Sequence, residues 1–414
     1  MRNEFDTIVI GGGLSGLVAA IISGRKGKKT AIITKGAGTL TIGGGIVDLL
    51  GYTEKGVVRK PFEALGELAP THPYNLIGAE KMRQALDFFT EFTKAGGYPY
   101  TSFKEGRSSW LPTAIGTIKP TFLRPEGMNP ENLMRDRIVV MGVDGLKDFF
   151  PELLIKGLSH HPWYSDKDFS AVRFTYKDLT ARDLSALDIA RFVDKPTGKK
   201  WLLDNMKSLI PPGSALIMPP ILGTKPQTDL RKQIFEELSI TCMETSVIPP
   251  SVTGLRLRQL LMDEVKRLGL TYIEMAEVKR AELSGKKVKA VFTVAPDKER
   301  RYAAENFIIA TGGFFGGGVI AAPGKAWEAV LEIDLRAPTL QEDWSQERVF
   351  SSEPHAFGLM GVSTDSELYA IDEGGVRLYE NVRFCGRTLG GYDPNREKSG
   401  NGVALCTGFV AGDL

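Results

Sequence analysis

The sequence predicts an α/β fold built on a parallel sheet and carrying an inserted α+β domain. Three observations lead there. A β-branched run at residues 7–10 meets a glycine turn, Gly11 to Gly16, and then an apolar stretch at 17–22. A second apolar run, 30–34, closes a βαβ unit. Far down the chain, residues 306–310 form another buried strand that runs into Gly312 and Gly313. The pattern is absent in between. The reading is therefore a Rossmann-like domain from residues 1–80 plus 235–414, with residues 81–234 inserted as a substrate or partner domain.

The first turn carries the strongest chemistry. Gly11, Gly13 and Gly16 fit G-x-G-x-x-G. In that spacing the first glycine permits the tight turn. The second lets backbone approach a pyrophosphate, and the third lets helix pack on strand. The helix N-terminus at Leu14 and Ser15 then offers free N–H groups and a positive dipole end. The second strand should end in an acid for the ribose hydroxyls. Here it ends in Thr34 and Lys35, so the Thr hydroxyl is the candidate for a ribose and Lys35 for a phosphate.

Next, Gly43-Gly44-Gly45 could let backbone lie flat against a planar ring. Residues 80–95 read as an amphipathic helix with Met82, Leu86, Phe89 and Phe92 on one side. Residues 96–132, rich in Gly, Pro and aromatics, read as a small sheet or extended loops. A strand is expected at 137–142, and helices at 145–154, 178–192 and 201–210. Residues 215–218 form a strand stopped by Pro219-Pro220. A helix at 254–268 should end at Gly269, followed by a strand at 270–275 and a hairpin over 279–294. Residues 382–386 form a strand leading to Gly390-Gly391 and Asp393, and a helix runs over 403–411.

Composition narrows the class. With 414 residues the chain can bury a large core, and a net charge of +2 gives no electrostatic case for nucleic acid. Cys242, Cys385 and Cys406 lie far apart without a C-x-x-C pattern, so neither an iron–sulfur cluster, a zinc site nor a disulfide framework is expected. His72, His160, His161 and His355 show no metal-ligand spacing. No signal peptide and no transmembrane run is read, so any membrane contact is expected through a partner.

Three linked pieces now stand together: Gly11 to Gly16, Ala310-Thr-Gly312, and Cys385-Gly386 with Gly390-Gly391 and Gly400-Asn-Gly402. In that order they resemble the two-dinucleotide-binding-domain flavoproteins, and the last piece resembles the flavin subunits of fumarate reductase and succinate dehydrogenase. Five segments together resemble the B-type chains of anaerobic glycerol-3-phosphate dehydrogenases. They start at Gly11, Arg137, Ala186, Pro250 and Gly312, and that resemblance runs almost from end to end.

The resemblance implies a flavin-binding subunit of a quinone-linked respiratory enzyme that oxidises sn-glycerol 3-phosphate to dihydroxyacetone phosphate. Its implied partners are an A-type FAD dehydrogenase subunit and a C-type iron–sulfur subunit that anchors the complex at the cytoplasmic face of the cell membrane. The family implies FMN for this chain, whereas a pyrophosphate-type loop favours FAD. Both stay open here.

In the flavin pattern, Gly312 ends a strand beside the cofactor. Gly386, Gly390, Gly391 and Asp393 carry the chain past its ribityl and phosphates, while Gly402 and Val403 bring a helix N-terminus to the ring. For catalysis the candidates are Arg256 and Arg387, which could meet the flavin or an anion, and His355 as base or ligand. Two alternative functions are kept: a self-sufficient flavin oxidoreductase acting on a dicarboxylate or ketone, and a structural subunit without a redox role.

Overall fold

The computed structural model describes residues 4–175, 183–295 and 298–414. The chain divides into two compact units, the first comprising Met1–Thr39, Asp48–Phe89 and Leu261–Leu414, the second Leu40–Val47 and Thr90–Leu260. Breaks expected at 80/81 and 234/235 thus fall at 89/90 and 260/261, and residues 40–47 join the second unit. One reason is pairing. Strand Thr241–Glu244 lies beside Ala215–Met218, so the chain after residue 234 still belongs to the second unit's sheet.

In chain order the elements used below are β1 (Glu4–Ile10), α1 (Leu14–Arg25), β2 (Thr30–Ile33), α2 (Pro73–Ala95), β3 (Arg137–Val143), α3 (Pro151–Ser159), β4 (Asp168–Phe174), α4 (Ala186–Val193), α5 (Pro196–Leu209), β5 (Ala215–Met218), α6 (Asp229–Leu238), β6 (Thr241–Glu244), α7 (Val252–Arg267), β7 (Thr271–Ile273), β8 (Glu277–Ser284), β9 (Lys287–Ala295), β10 (Lys298–Ile309), β11 (Val319–Ala322), β12 (Lys325–Glu328), β13 (Val382–Phe384), α8 (Pro394–Glu397) and α9 (Gly400–Gly412).

The first unit is built on a seven-stranded sheet in the order β7-β2-β1-β10-β9-β8, with β13 also pairing β10. Strands β7, β2, β1, β10 and β13 are parallel, while β9 pairs antiparallel to both β8 and β10. Ile8, Val9, Ala31, Ile32 and Ile308 are fully buried, as expected of strands covered on both faces. Helix α1 is buried from Leu14 to Ser23, so its apolar surface runs all the way round.

Helix α9 packs on α1 backbone to backbone. A Cβ added at Gly408 would lie 2.5 Å from the Ser15 carbonyl oxygen, and one at Gly412 2.3 Å from that of Ala19. Gly408→Ala should therefore cost about 1–3 kcal/mol through forced separation of the helices. Urea unfolding checks this, and an unchanged midpoint would refute the close approach.

The second unit holds a four-stranded sheet, β4-β3-β5-β6, with every pair parallel. This is more regular than the expected α+β insert. The strands that sequence does not reveal are β4, whose residues are mostly exposed, and the short β6. Small antiparallel pairs, Tyr100–Thr101 with Arg124–Pro125 and Ser109–Pro112 with Ile118–Thr121, occupy the Gly/Pro-rich stretch.

The helix expected at 145–154 begins only at Pro151. Proline lacks an N–H and keeps the preceding residue extended (Phe150 φ −121°, ψ 104°), so it fits the first turn and not the interior. Helix α4 starts at a capping box of Ser185 and Asp188; residues 178–182 of the helix expected there lie outside the described residues. Gly269 (φ +66°) ends α7, with Leu270 N–H bonded back to Val265 O at 3.1 Å.

Candidate functional site

The site is built around the β1–α1 turn. Gly11 has φ +123°, and a Cβ there would lie 2.2 Å from Ala310 O on the chain leaving β10. At Gly16 the Cβ would lie 2.1 Å from Gly11 O, so this glycine sets the close packing of helix on turn. Gly13 differs from both, because nothing stands within 4 Å of its Cβ position. Its glycine character is not required by any protein neighbour in the described residues, and the space beside it is open.

The helix start is equally telling. Gly13 caps α1 without a side-chain hydrogen bond, and the first return bond is Leu17 N–H to Gly13 O at 3.0 Å. Among the described residues no acceptor meets the N–H groups of Leu14, Ser15 and Gly16. An uncapped helix N-terminus beside an open glycine is a cradle for a phosphate. These residues fit the pyrophosphate of a dinucleotide cofactor.

The other candidate cofactor residues of the first unit are hydrogen-bonded or ion-paired within it. Thr34 Oγ1 donates to Gly36 O and accepts from Gly36 N–H, which closes the turn after β2. Lys35 is exposed and ion-paired with Glu277 at 3.2 Å. Gly312 N–H donates to Thr388 Oγ1 at 3.1 Å, Gly386 N–H to Thr407 Oγ1 at 2.9 Å, Gly390 N–H to Val362 O and Gly391 N–H to Leu359 O. Asp393 caps α8 by accepting from Asn395 and Arg396 N–H.

The expected role of Gly402 and Val403 needs correction. Gly402 N–H donates to Asp48 O at 3.0 Å, and a Cβ there would lie 2.2 Å from Tyr74 Oη. Val403 is fully buried. The Gly402 N–H is therefore engaged with protein and not free for a ligand. Gly43 and Gly44 belong to the second unit, where Gly44 O accepts from Ser246 Oγ and Thr253 Oγ1.

All three catalytic candidates have structural partners. Arg256, in the second unit, is 2% exposed. Its guanidinium donates to Gly223 O from Nε (2.9 Å) and Nη2 (2.7 Å), to both Glu244 carboxylate oxygens, and to Tyr98 Oη. All five N–H groups are thereby used.

His355 accepts from Gln346 N–H on Nδ1 and lies 3.0 Å from Val349 O through Nε2, so it ties a loop and has no lone pair left to act as a base. Arg387 donates to the carbonyls of Gly358, Met360 and Leu389. Neither periodicity nor motif could have announced these pairings. His160 and His161 are tied locally, to Lys156 O and by Trp163 N–H.

Among the described residues no group of three or more His, Cys, Asp or Glu could hold a metal, and no helix is long and apolar enough to cross a membrane. The three cysteines are buried and free, and burial pushes the thiols of Cys242 and Cys385 up to about 12.

The family described as FAD binding domain matches residues 6–403. A relative from Yersinia enterocolitica, named as the B-type chain of anaerobic glycerol-3-phosphate dehydrogenase, is 30% identical, with 99% of this chain and 97% of that protein covered.

The chain belongs to the FAD binding domain family and to the family of those B-type dehydrogenase chains.

The protein of the same name from Vibrio cholerae is 28% identical over 99% of this chain and 95% of its own length. Among solved structures, the chain is similar to the 3-ketosteroid delta1-dehydrogenase of Sterolibacterium denitrificans (TM-score 0.45, 10% identity, 100% and 99% covered). This family member is a flavin-dependent dehydrogenase, and the family's flavin is FAD, the form that suits a pyrophosphate cradle.

Proposed function

We propose that this flavoprotein is the FAD-carrying B-type chain of a respiratory anaerobic glycerol-3-phosphate dehydrogenase. The observation that carries the reading is the uncapped N-terminus of α1 beside the open face of Gly13. The 30% identity to the Yersinia protein supports the substrate, sn-glycerol 3-phosphate.

Leu14, Ser15 and Gly16 N–H groups would hold the pyrophosphate, and Gly312, Gly386, Gly390 and Gly391 would shape the wall beside it. The strand end at Thr34 and Lys35 would stand near the ribose, with Lys35 first released from Glu277. Gly43 and Gly44, in the second unit, would offer a flat stretch of backbone. Bound FAD supplies a two-electron carrier.

The chain's own residues support a relay role. Arg256, His355 and Arg387 are engaged with protein atoms, so none is a ready base or anion receptor. In this reading substrate oxidation takes place on an A-type partner subunit. Electrons leave through a C-type iron–sulfur subunit to a quinone at the cytoplasmic face of the membrane. The second unit then serves as a partner or substrate domain.

Gly13→Trp tests the site. An indole in the open space should cut the FAD retained by the purified chain at least about tenfold, an effect of about 1.4 kcal/mol or more. Acid release and mass identification of the flavin give the readout. Dye-coupled glycerol 3-phosphate turnover of the co-purified complex should fall in step. Unchanged turnover after flavin loss would favour a structural role without redox function, and turnover by the isolated chain would move the substrate site here. Unchanged FAD in the variant would remove the cradle.

A further inference from the structure

His72 carries a contact network that the proposed function leaves unused. It sits directly before α2 and is 1% exposed. Its Nδ1 accepts from Tyr74 backbone N–H at 3.0 Å. That bond leaves the ring proton on Nε2, which lies 3.1 Å from Glu397 Oε2 and donates to it.

Glu397 is the hub. Its Oε2 also accepts from Ser399 Oγ at 2.8 Å, and its Oε1 accepts from Asp393 N–H at 3.1 Å. Its own N–H returns to Asp393 O at 3.0 Å. One carboxylate therefore ties the residue that caps α8 to the residue that caps α9. Tyr74, two residues after His72, donates to Leu49 O at 2.6 Å and stands 3.4 Å from Ser399 O. All of these residues belong to the first unit.

We infer that His72 is a positioning residue for the cofactor loop: through Glu397 it sets where the Asp393–Ser399 turn delivers the N-terminus of α9. The inference rests on the proposed FAD site and on the expectation, from the flavin pattern, that this turn and the start of α9 lie beside the cofactor. A short helix of four residues cannot hold that turn rigid alone, since most of its backbone groups lie at its ends. The bond from a buried imidazole to a carboxylate is charge-assisted and stronger than a neutral one. The side chain also does something else, because it caps α2 through Tyr74 N–H. Two replacements separate these roles.

His72→Asn places its carbonyl oxygen near Nδ1 and keeps the cap, but loses the donor to Glu397. His72→Gln reaches toward Glu397 with an amide N–H and loses the cap. The readouts are the FAD dissociation constant, from fluorescence on titrating apoprotein, and the reduction potential of bound FAD.

For H72N, FAD should bind about tenfold more weakly, with a shifted potential, as expected for losing one hydrogen bond to a charged group. H72Q should restore most of the affinity. Glu397→Gln, a near-isosteric change, should weaken FAD like H72N and serves if H72N does not fold. The inference is overturned if H72N matches wild type, if H72Q is the worse of the two, or if both are equally impaired, since each outcome reduces His72 to a cap or a packing residue. A wild-type chain that takes up no FAD is a different result, one that removes the cofactor reading itself.

Discussion

Arg256→Ala is expected to destabilise the protein by about 3–5 kcal/mol, because it leaves the buried Glu244 carboxylate without its countercharge. Both partners are almost entirely buried, at 2% and 4% side-chain exposure. The loss does not stop at the pair. Gly223 O accepts two of the guanidinium N–H groups, so it too is left unpartnered, and Glu244 Oε1 also accepts from Leu222 N–H at 2.9 Å.

Replacing both charges at once, as R256M with E244L, should recover only part of the loss. Each orphaned backbone group still costs about 1–3 kcal/mol in a buried site. Urea unfolding of the two single variants and the double variant measures this directly. If the singles shift stability by less than about 1 kcal/mol, the pair is not the buried anchor its geometry indicates. The same measurement bears on catalysis, since a residue with every donor engaged should act through folding and not through turnover per folded molecule.

Glu328 should make stability depend on pH. It is 0% exposed and, among the described residues, accepts only from Val330 N–H (3.0 Å) and Leu331 N–H (2.7 Å). Burial pushes its carboxyl up from 4.5 to about 7, and the two backbone bonds hold it back from going further. Below pH 4.5 the group is protonated in both folded and unfolded chains, and its full contribution is present. As pH rises from 4.5 through 7 the unfolded chain ionises first, so stability is lost across that window and levels off above it.

The whole loss is about 3 kcal/mol, at about 1.4 kcal/mol per tenfold change in proton affinity. Between pH 5 and pH 8 it is about 2 kcal/mol. Glu328→Gln removes the ionisation. Its lost acceptor for one backbone N–H costs the same at both pH values, so the variant should gain on wild type by about 2 kcal/mol on going from pH 5 to pH 8. A difference between the two proteins that does not vary with pH would show that Glu328 stays ionised throughout.

Other residues show how far local sequence reaches. The β1–α1 turn was legible because its information is local: β-branched residues, glycines at fixed offsets and an apolar helix follow one another within about twenty residues. The strand Ala215–Met218 appeared as expected for the same reason, with prolines marking its end. The α3 start slipped to Pro151 because a proline confines the helix to its C-terminal side, whatever the apolar spacing before it suggests. Strand β4 went unseen because most of its side chains are exposed and give no apolar signal.

By itself, then, the sequence determined the α/β class, the glycine cradle of α1 and, through the family it belongs to, the flavin. Tertiary structure alone decided which polar side chains are available. Glu397 meets His72 across 325 residues of chain, Asp48 takes the Gly402 N–H, and Arg256 closes on Gly223 and Glu244. The physical reason is that periodicity and turn chemistry act over a few residues, while a buried hydrogen bond is satisfied by whatever acceptor the packed fold brings within about 3 Å.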